Sequence, residues 1–263
     1  MRKSLIHVVP AIILIAVLSC ITGCKDRRAG NTPATPSGDS SSAQAATHYP
    51  SPADSGANAY GIDISKYQGN IVSDIISKDA LSFVICKATE GETYTDPDFS
   101  TNWQAIKAKN LIRGAYHFYH TDDDPVVQAR FFIQTLQAGG MSNTDLPPIL
   151  DIETGSLGGT INTTDIQNNA LTFLTQVEQL SQRTPILYSS LYFANKYLDN
   201  PAFARYPLWI AEYSGGITPL LPQAWQQKGY IIWQRNSTYT IDSDTTDYDV
   251  FNGTRGALYR FVE

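Results

Sequence analysis

Cysteine is scarce in this sequence: 263 residues hold three, and two of them, Cys20 and Cys24, fall in the first 24. The third, Cys86, sits in the apolar stretch SFVICKA with no cysteine left to pair with. A disulfide framework is therefore excluded, and Cys86 is expected to be a small buried hydrophobe. Basic runs are equally rare. The formal net charge is −6 and no Lys/Arg-rich run occurs beyond the first 28 residues, which leaves no electrostatic footprint for nucleic acid. A glycine-rich phosphate loop is also missing. Carboxylates alone could hold Mg2+ or Ca2+, but without such a loop neither a metal nor a cofactor is expected.

The chain is otherwise ordinary globular material, with 42% hydrophobic and 17% charged residues. Its N-terminus stands apart. Met1-Arg2-Lys3 supplies a positive start, and residues 8–18 form an apolar run too short to span a bilayer, the pattern of an export signal. The run leads into ITGC, ending at Cys24, which resembles the lipobox of bacterial lipoproteins; Cys20 in VLSC is the lesser candidate. Residues 1–23 are thus expected to be a lipoprotein signal peptide, with Cys24 as the lipidated residue. A lipid chain there would hold the exported protein on a membrane of the cell envelope without spanning it. Residues 24–58 are rich in Ser, Pro, Ala, Gly and Thr and almost free of large apolar side chains. Such a segment cannot bury enough surface to order itself and reads as a tether. Residues 59–263 remain for one domain.

Within it, strand and helix signals alternate. Strands are expected at 60–65, 82–88, 112–118, 147–153, 185–190, 207–213, 230–234 and 247–251. Asp96-Pro97 opens a helix carrying Phe99, Trp103 and Ile106 on one face. Asp124-Pro125 opens another, striped by Ala129, Phe132, Ile133 and Leu136 and stopped by Gly139-Gly140. Thr164 with Gln167 reads as a capping box heading a helix to about residue 181, and shorter helices fit 71–79 and 191–199. Alternating βα units imply a parallel sheet, and eight strands at this length imply a closed, TIM-like α/β barrel with an incomplete helical ring. Residues 235–246 are polar without helical period, too little for a parallel crossover. The last two strands should therefore form a hairpin, leaving the last one antiparallel.

In such a barrel the chemistry lies where strands end. Those positions hold Asp63, Glu90, Tyr116, His117, Asp151, Glu153, Tyr188, Glu212, Gln234 and, on the reversed last strand, Asp247 or Asp249. The stretch LPPILDIE drives two acids into the end of an apolar strand, and their spacing of two puts Asp151 and Glu153 on one face. Confined like charges raise one another's pKa, which keeps a carboxylic acid protonated for general-acid work; paired carboxylates in an aromatic cleft are the equipment of glycoside hydrolysis.

The motifs GIDISKYQG (61–69), KATEGETYTDPDFSTNW (87–103), GAYHFY (114–119), DPVVQARFF (124–132), ILDIE (149–153), PILYSS (185–190), LWIAEY (208–213) and IIWQ (231–234) resemble, in order and spacing, those of glycoside hydrolase family 25, the lysozyme-type N-acetylmuramidases. The resemblance implies a (β/α)5β3 barrel that cleaves the β-1,4 bond between N-acetylmuramic acid and N-acetylglucosamine in peptidoglycan. It further implies retention of configuration with help from the sugar's N-acetyl group, an exception to the two-carboxylate scheme. By resemblance Glu153 is the general acid/base and Asp151 stabilises the acetamido group or the charged intermediate, with Asp63 and a C-terminal acid completing the set. The family pattern there is roughly V-D-L-N-x-F; this chain has TDYDVF, aligning Asp247 with the acid and Asp249 with the Asn, with Asp242 and Asp244 as rivals. Substrate contacts are expected from Glu90, Tyr116, Tyr188, Trp209 and Gln234, since a glycan groove needs aromatic faces. The expected partners are peptidoglycan strands and, through the anchor, a membrane; the protein is expected to be a monomer. Two other readings are an inactive glycan-binding module and a chitinase of another barrel family. The chitinase strand reads D-x-x-D-x-D-x-E, and Leu146 and Ile149 occupy its two upstream acidic positions here.

Overall fold

The computed structural model describes residues 58–76 and 79–263. The readings of the signal peptide, Cys24 and nearly all of the tether lie outside the described residues. Eight strands close into a barrel: β1 (Asn58–Ile64), β2 (Leu81–Glu90), β4 (Ile112–Phe118), β5 (Ile149–Asp151), β6 (Ile186–Ser190), β7 (Leu208–Ala211), β8 (Ile232–Ile241) and β9 (Asp244–Thr254). A two-residue β3 (Tyr94–Thr95) turns back on the end of β2. From β1 round to β8 every neighbouring pair is parallel. β9 then runs antiparallel to both β8 and β1 and closes the ring, as the short polar connection requires.

Alternation along the strands separates two apolar layers. Phe83, Ile85, Ile149, Ile186, Trp209, Ile232 and Phe251 fill the barrel interior, while Val84, Cys86, Leu150, Leu187 and Ile210 pack outward under the helices. Gly61 is small for a reason of space: a Cβ there would meet the Phe83 ring at 2.3 Å.

The helices are α1 (Phe99–Ala108), α2 (Pro125–Ala138), α3 (Thr163–Ser181), α4 (Leu191–Tyr197) and α5 (Arg255–Val262). α2 starts as its sequence predicts, Asp124 accepting from the N–H groups of Val126 and Val127 at 2.7 and 3.1 Å. α3 does not. Asn162 is its cap, accepting from Thr164 N at 2.9 Å, and Gln167 reaches Asp199 at 2.7 Å instead of turning back on the helix start. Of the helix expected over 71–79, the described residues show a 3-10 turn at Ile71–Asp74, whose β-branched start favours an early exit; Lys109 Nζ binds the Ser73 carbonyl within it and the Ile75 carbonyl just beyond. Residues 235–246 are not a bare connection. They continue the β8 and β9 ladder as far as a tight turn at Asp242, φ 52°. α5 was not anticipated. Its Ala257, Leu258 and Val262 join the interior cluster beside Ala59 and Phe251, plugging the barrel end opposite the acids.

Candidate active site

The strand register assembles the acids. Asp63 near the end of β1 stands opposite Asp247 on β9; Asp151 ends β5 beside Tyr188; Gln234 on β8 faces Asp249. Glu153 keeps extended dihedrals (φ −147°, ψ −170°), so the period of two continues past the end of β5 and its side chain shares the face of Asp151. Between them Ile152 points outward and is fully buried; its backbone is tied to β6 by Ile152 N to Tyr188 O at 3.1 Å and Ser189 Oγ to Ile152 O at 2.7 Å.

Confinement changes the acid strength of the whole group. Burial, then the carboxylates of Asp249 and Asp247, hold Asp63 well above the usual carboxylate range. Burial and then Glu153 do the same to Asp151; burial and then Asp247 raise Glu153, with Lys87 pulling both downward. Burial lifts Asp247 to about 6 and Asp249 to about 8. The bowl therefore stores protons near neutral pH, which a general acid needs.

Lys87 is a member that sequence reasoning missed. It pairs across β2 and β4 with Tyr116, binds Glu90 Oε2 at 2.6 Å, and lies 4.7 Å from the centre of the Phe118 ring. Its signal was the inward parity of Ile85 and Lys87 in an otherwise apolar strand. Glu90, expected to meet substrate, is engaged by Lys87 and by His120 Nε2 at 3.1 Å, and those two partners hold its carboxyl below its ordinary value despite burial. Tyr213 was also missed. Its hydroxyl donates to Gln234 Oε1, which accepts from Tyr188 as well at 3.0 Å, while Gln234 Nε2 donates to Asp63 Oδ2 at 2.7 Å.

Four expected residues sit elsewhere than at the bowl surface. Gln234 and Trp209 are each 2% exposed, so they support the bowl from beneath; Trp209 packs 4.5 Å from Tyr188, centre to centre, and donates to Asp249 Oδ1 at 2.8 Å. His117 has outward parity. It lies in the core between sheet and helices, bonded to Thr89 and Gln128 and stacked 5.0 Å from Phe173, and burial lowers it to about 3. Glu212 spends its carboxylate on the N–H and hydroxyl of Ser214, at 2.9 and 3.0 Å. Tyr116 and Tyr188 face the acids: Asp151 raises both phenols further once burial has done so.

Residues 62–244 match the family model described as glycosyl hydrolases family 25. The uncharacterized protein YegX of Escherichia coli (strain K12) is 34% identical over 211 residues, 78% of this chain and 73% of that protein. Lysozyme M1 of Streptomyces globisporus is 29% identical over 215 residues, 79% of this chain and 72% of its own. Among solved structures, the bacterial lysozyme from Streptomyces coelicolor superposes with a TM-score of 0.70 at 28% identity, covering 80% of this chain and 98% of that one. A barrel closed by one reversed strand, an acid-lined mouth and a family match over most of the folded domain agree: the chain belongs to glycosyl hydrolases family 25 and is a glycoside hydrolase.

Proposed function

We propose that this glycoside hydrolase is a muramidase that cleaves the β-1,4 bond between N-acetylmuramic acid and N-acetylglucosamine in peptidoglycan. The observation that carries the reading is the pairing of Glu153 with Asp151 on one face at the mouth, among carboxylates that raise each other's pKa. Glu153, partly exposed and made a weaker acid by burial and by Asp247, gives its proton to the outgoing sugar oxygen and then takes one from the incoming water. Asp151, on the same face as Glu153, orients the acetamido group of the sugar, whose carbonyl oxygen approaches the anomeric carbon. Asp63 and Asp247 add negative potential where positive charge develops at that carbon. Tyr116 and Tyr188 offer ring surface to the sugars. Glu90 acts mainly by fixing Lys87, and Trp209 and Gln234 by fixing the layer beneath.

The names of the relatives support the substrate: besides Lysozyme M1, an N,O-diacetylmuramidase of Arthroderma benhamiae is 29% identical over 77% of this chain. The N-terminal segment adds a location. Residues 1–23 direct export, Cys24 carries the lipid, and residues 24–58 tether a monomeric domain, 59–263, at the envelope membrane. Mass spectrometry of the mature N-terminus tests the anchor; an unmodified start beyond Cys24 contradicts it. Incubation with purified sacculi tests the activity. New reducing ends are expected from the parent and none from Glu153→Gln. A parent that binds the glycan and releases nothing, on sacculi that a known lysozyme digests, would turn the reading toward a binding module.

A further inference from the structure

A lysine on the β1–β2 side of the mouth is spent on no acid. Lys66 opens the 3-10 turn Lys66–Gln68, which leaves the end of β1 just after Asp63. The backbone there is fixed: Gln68 Oε1 accepts from Ser65 N at 2.9 Å, and the buried Asp96 carboxylate accepts from Lys66 N at 3.1 Å. The side chain is fixed as well. Its ammonium binds the Tyr94 hydroxyl at 3.0 Å and lies 5.1 and 5.3 Å from the ring centres of Tyr94 and Tyr67. Lys66 is nevertheless exposed, and among the described residues its ammonium pairs with no carboxylate. An ammonium has three N–H donors, so two remain after Tyr94 has been met.

Tyr94 joins this cation to the catalytic bowl. β3 sets Tyr94 opposite Glu90 at the end of β2, and the same ring lies 5.9 Å from Lys87 Nζ. Lys87 in turn acts on Asp151 and Glu153. Outward from the paired acids the order is therefore Lys87, Tyr94, Lys66. Lys87 is mostly enclosed and committed to Glu90 at 2.6 Å, which leaves Lys66 as the cation that a ligand can reach on this side. Lys196 is also held by tyrosines, but it lies near the far end of α4, which leads away from the rim, and Arg235 lies over the outward Trp233 ring.

A glycan built only of hydroxyls and acetamides has no need of such a cation. A muramyl residue differs from N-acetylglucosamine by a lactyl ether whose carboxyl is either free or extended by a peptide with carboxylates of its own. An acid-lined bowl repels that anion. An ammonium held just outside the bowl offsets the repulsion and favours the muramyl glycan over an uncharged one.

We propose that Lys66 is a specificity-determining residue whose ammonium, propped by Tyr94, pairs with a carboxylate on the muramyl side chain of a glycan lying across the bowl. The inference rests on the muramidase reading and deepens it, since it names the group by which this site tells peptidoglycan from chitin.

Calorimetry on the Glu153→Gln protein, which holds glycan without cutting it, tests the pairing with three tetrasaccharides. One is a peptidoglycan fragment with its peptide stems, the second is the same fragment stripped of stems by an amidase so that the lactyl carboxyl is free, and the third is chitin tetraose, which has no carboxyl. Adding K66M is expected to weaken one or both peptidoglycan fragments about fivefold relative to chitin tetraose, with the deficit shrinking as salt is raised. Loss confined to the stem-bearing fragment assigns the pairing to a peptide carboxylate, and loss confined to the stripped one to the lactyl carboxylate; either supports the proposal. K66R should keep the preference and K66E should weaken the charged fragments further than K66M, an order that a packing role would not produce. An equal loss on all three glycans, or K66M and K66E both indistinguishable from Lys66, overturns it. If that happens while the parent still digests sacculi, the muramidase reading stands alone; binding of chitin tetraose only, with no digestion of sacculi, removes both.

Discussion

The side-chain amide of Gln234 donates to Asp63 Oδ2 at 2.7 Å, joining β8 to β1 across 171 residues of sequence. Its oxygen collects two tyrosine hydroxyls from β6 and the loop after β7, so one buried side chain fixes three rim positions. Gln234→Leu should therefore lower kcat about 100-fold through misplacement of Asp63, with circular dichroism unchanged. Gln234→Glu should be worse than Gln234→Ala, because it adds a buried charge beside Asp63. Steady-state kinetics on solubilised peptidoglycan fragments checks the order of the three variants.

Glu153→Gln removes the proton donor and keeps the shape. A fall in kcat of about 10²–10⁴-fold is expected, with glycan affinity nearly unchanged. Calorimetric binding of a muropeptide fragment beside the rate measurement separates the two effects; an equal loss of affinity would mean that Glu153 holds substrate and does no proton transfer.

The charge on Asp247 is the second cause, after burial, of the raised Glu153 value. A general acid works only while protonated, so rate falls as pH rises through the Glu153 midpoint. Asp247→Asn removes the charge and lowers that midpoint, and the alkaline limb of its residual activity should move to lower pH.

Stability should carry the same signature. Asp247 and Asp249 are held above their unfolded values, so their contributions are complete below about pH 4 and fade as pH rises through about 6 and about 8. His117, held neutral down to about 3, works the other way: its contribution is complete above about 6.5 and is lost as pH falls below that. Tm should therefore peak in mildly acid buffer and decline toward pH 8.5. D249N should flatten the alkaline decline, at about 2–4 °C per kcal/mol for a domain of this size. Thermal unfolding across the pH range reads it directly.

Gly61 has no room for a methyl group, with the Phe83 ring 2.3 Å from the Cβ position. Gly61→Ala should cost about 1–3 kcal/mol by overpacking of the barrel interior, seen as a lower urea midpoint with unchanged slope.

The alternation of strand and helix, the Asp124-Pro125 start and the shared face of Asp151 and Glu153 were legible because each follows from local parity or capping. What was not legible depends on neighbours distant in sequence. Asn162 captured the α3 cap one residue ahead of the helix, so Thr164 was never free for the role. α5 was hidden by Gly256, a poor helix former, and by an amphipathic face whose partner is the barrel end. Trp209 and Gln234 carry the right parity for the bowl, but depth along a strand is set by barrel closure, and both lie below the surface that substrate can reach. Lys87 and Tyr213 were passed over because an inward lysine and a loop tyrosine acquire meaning only beside Glu90 and Gln234.

The measurement that bears most directly on the account is identification of the sugar at the reducing end newly formed from purified sacculi. The account predicts N-acetylmuramic acid from the parent and no new end from Glu153→Gln. N-acetylglucosamine at that position, or equal release by the variant, would contradict it.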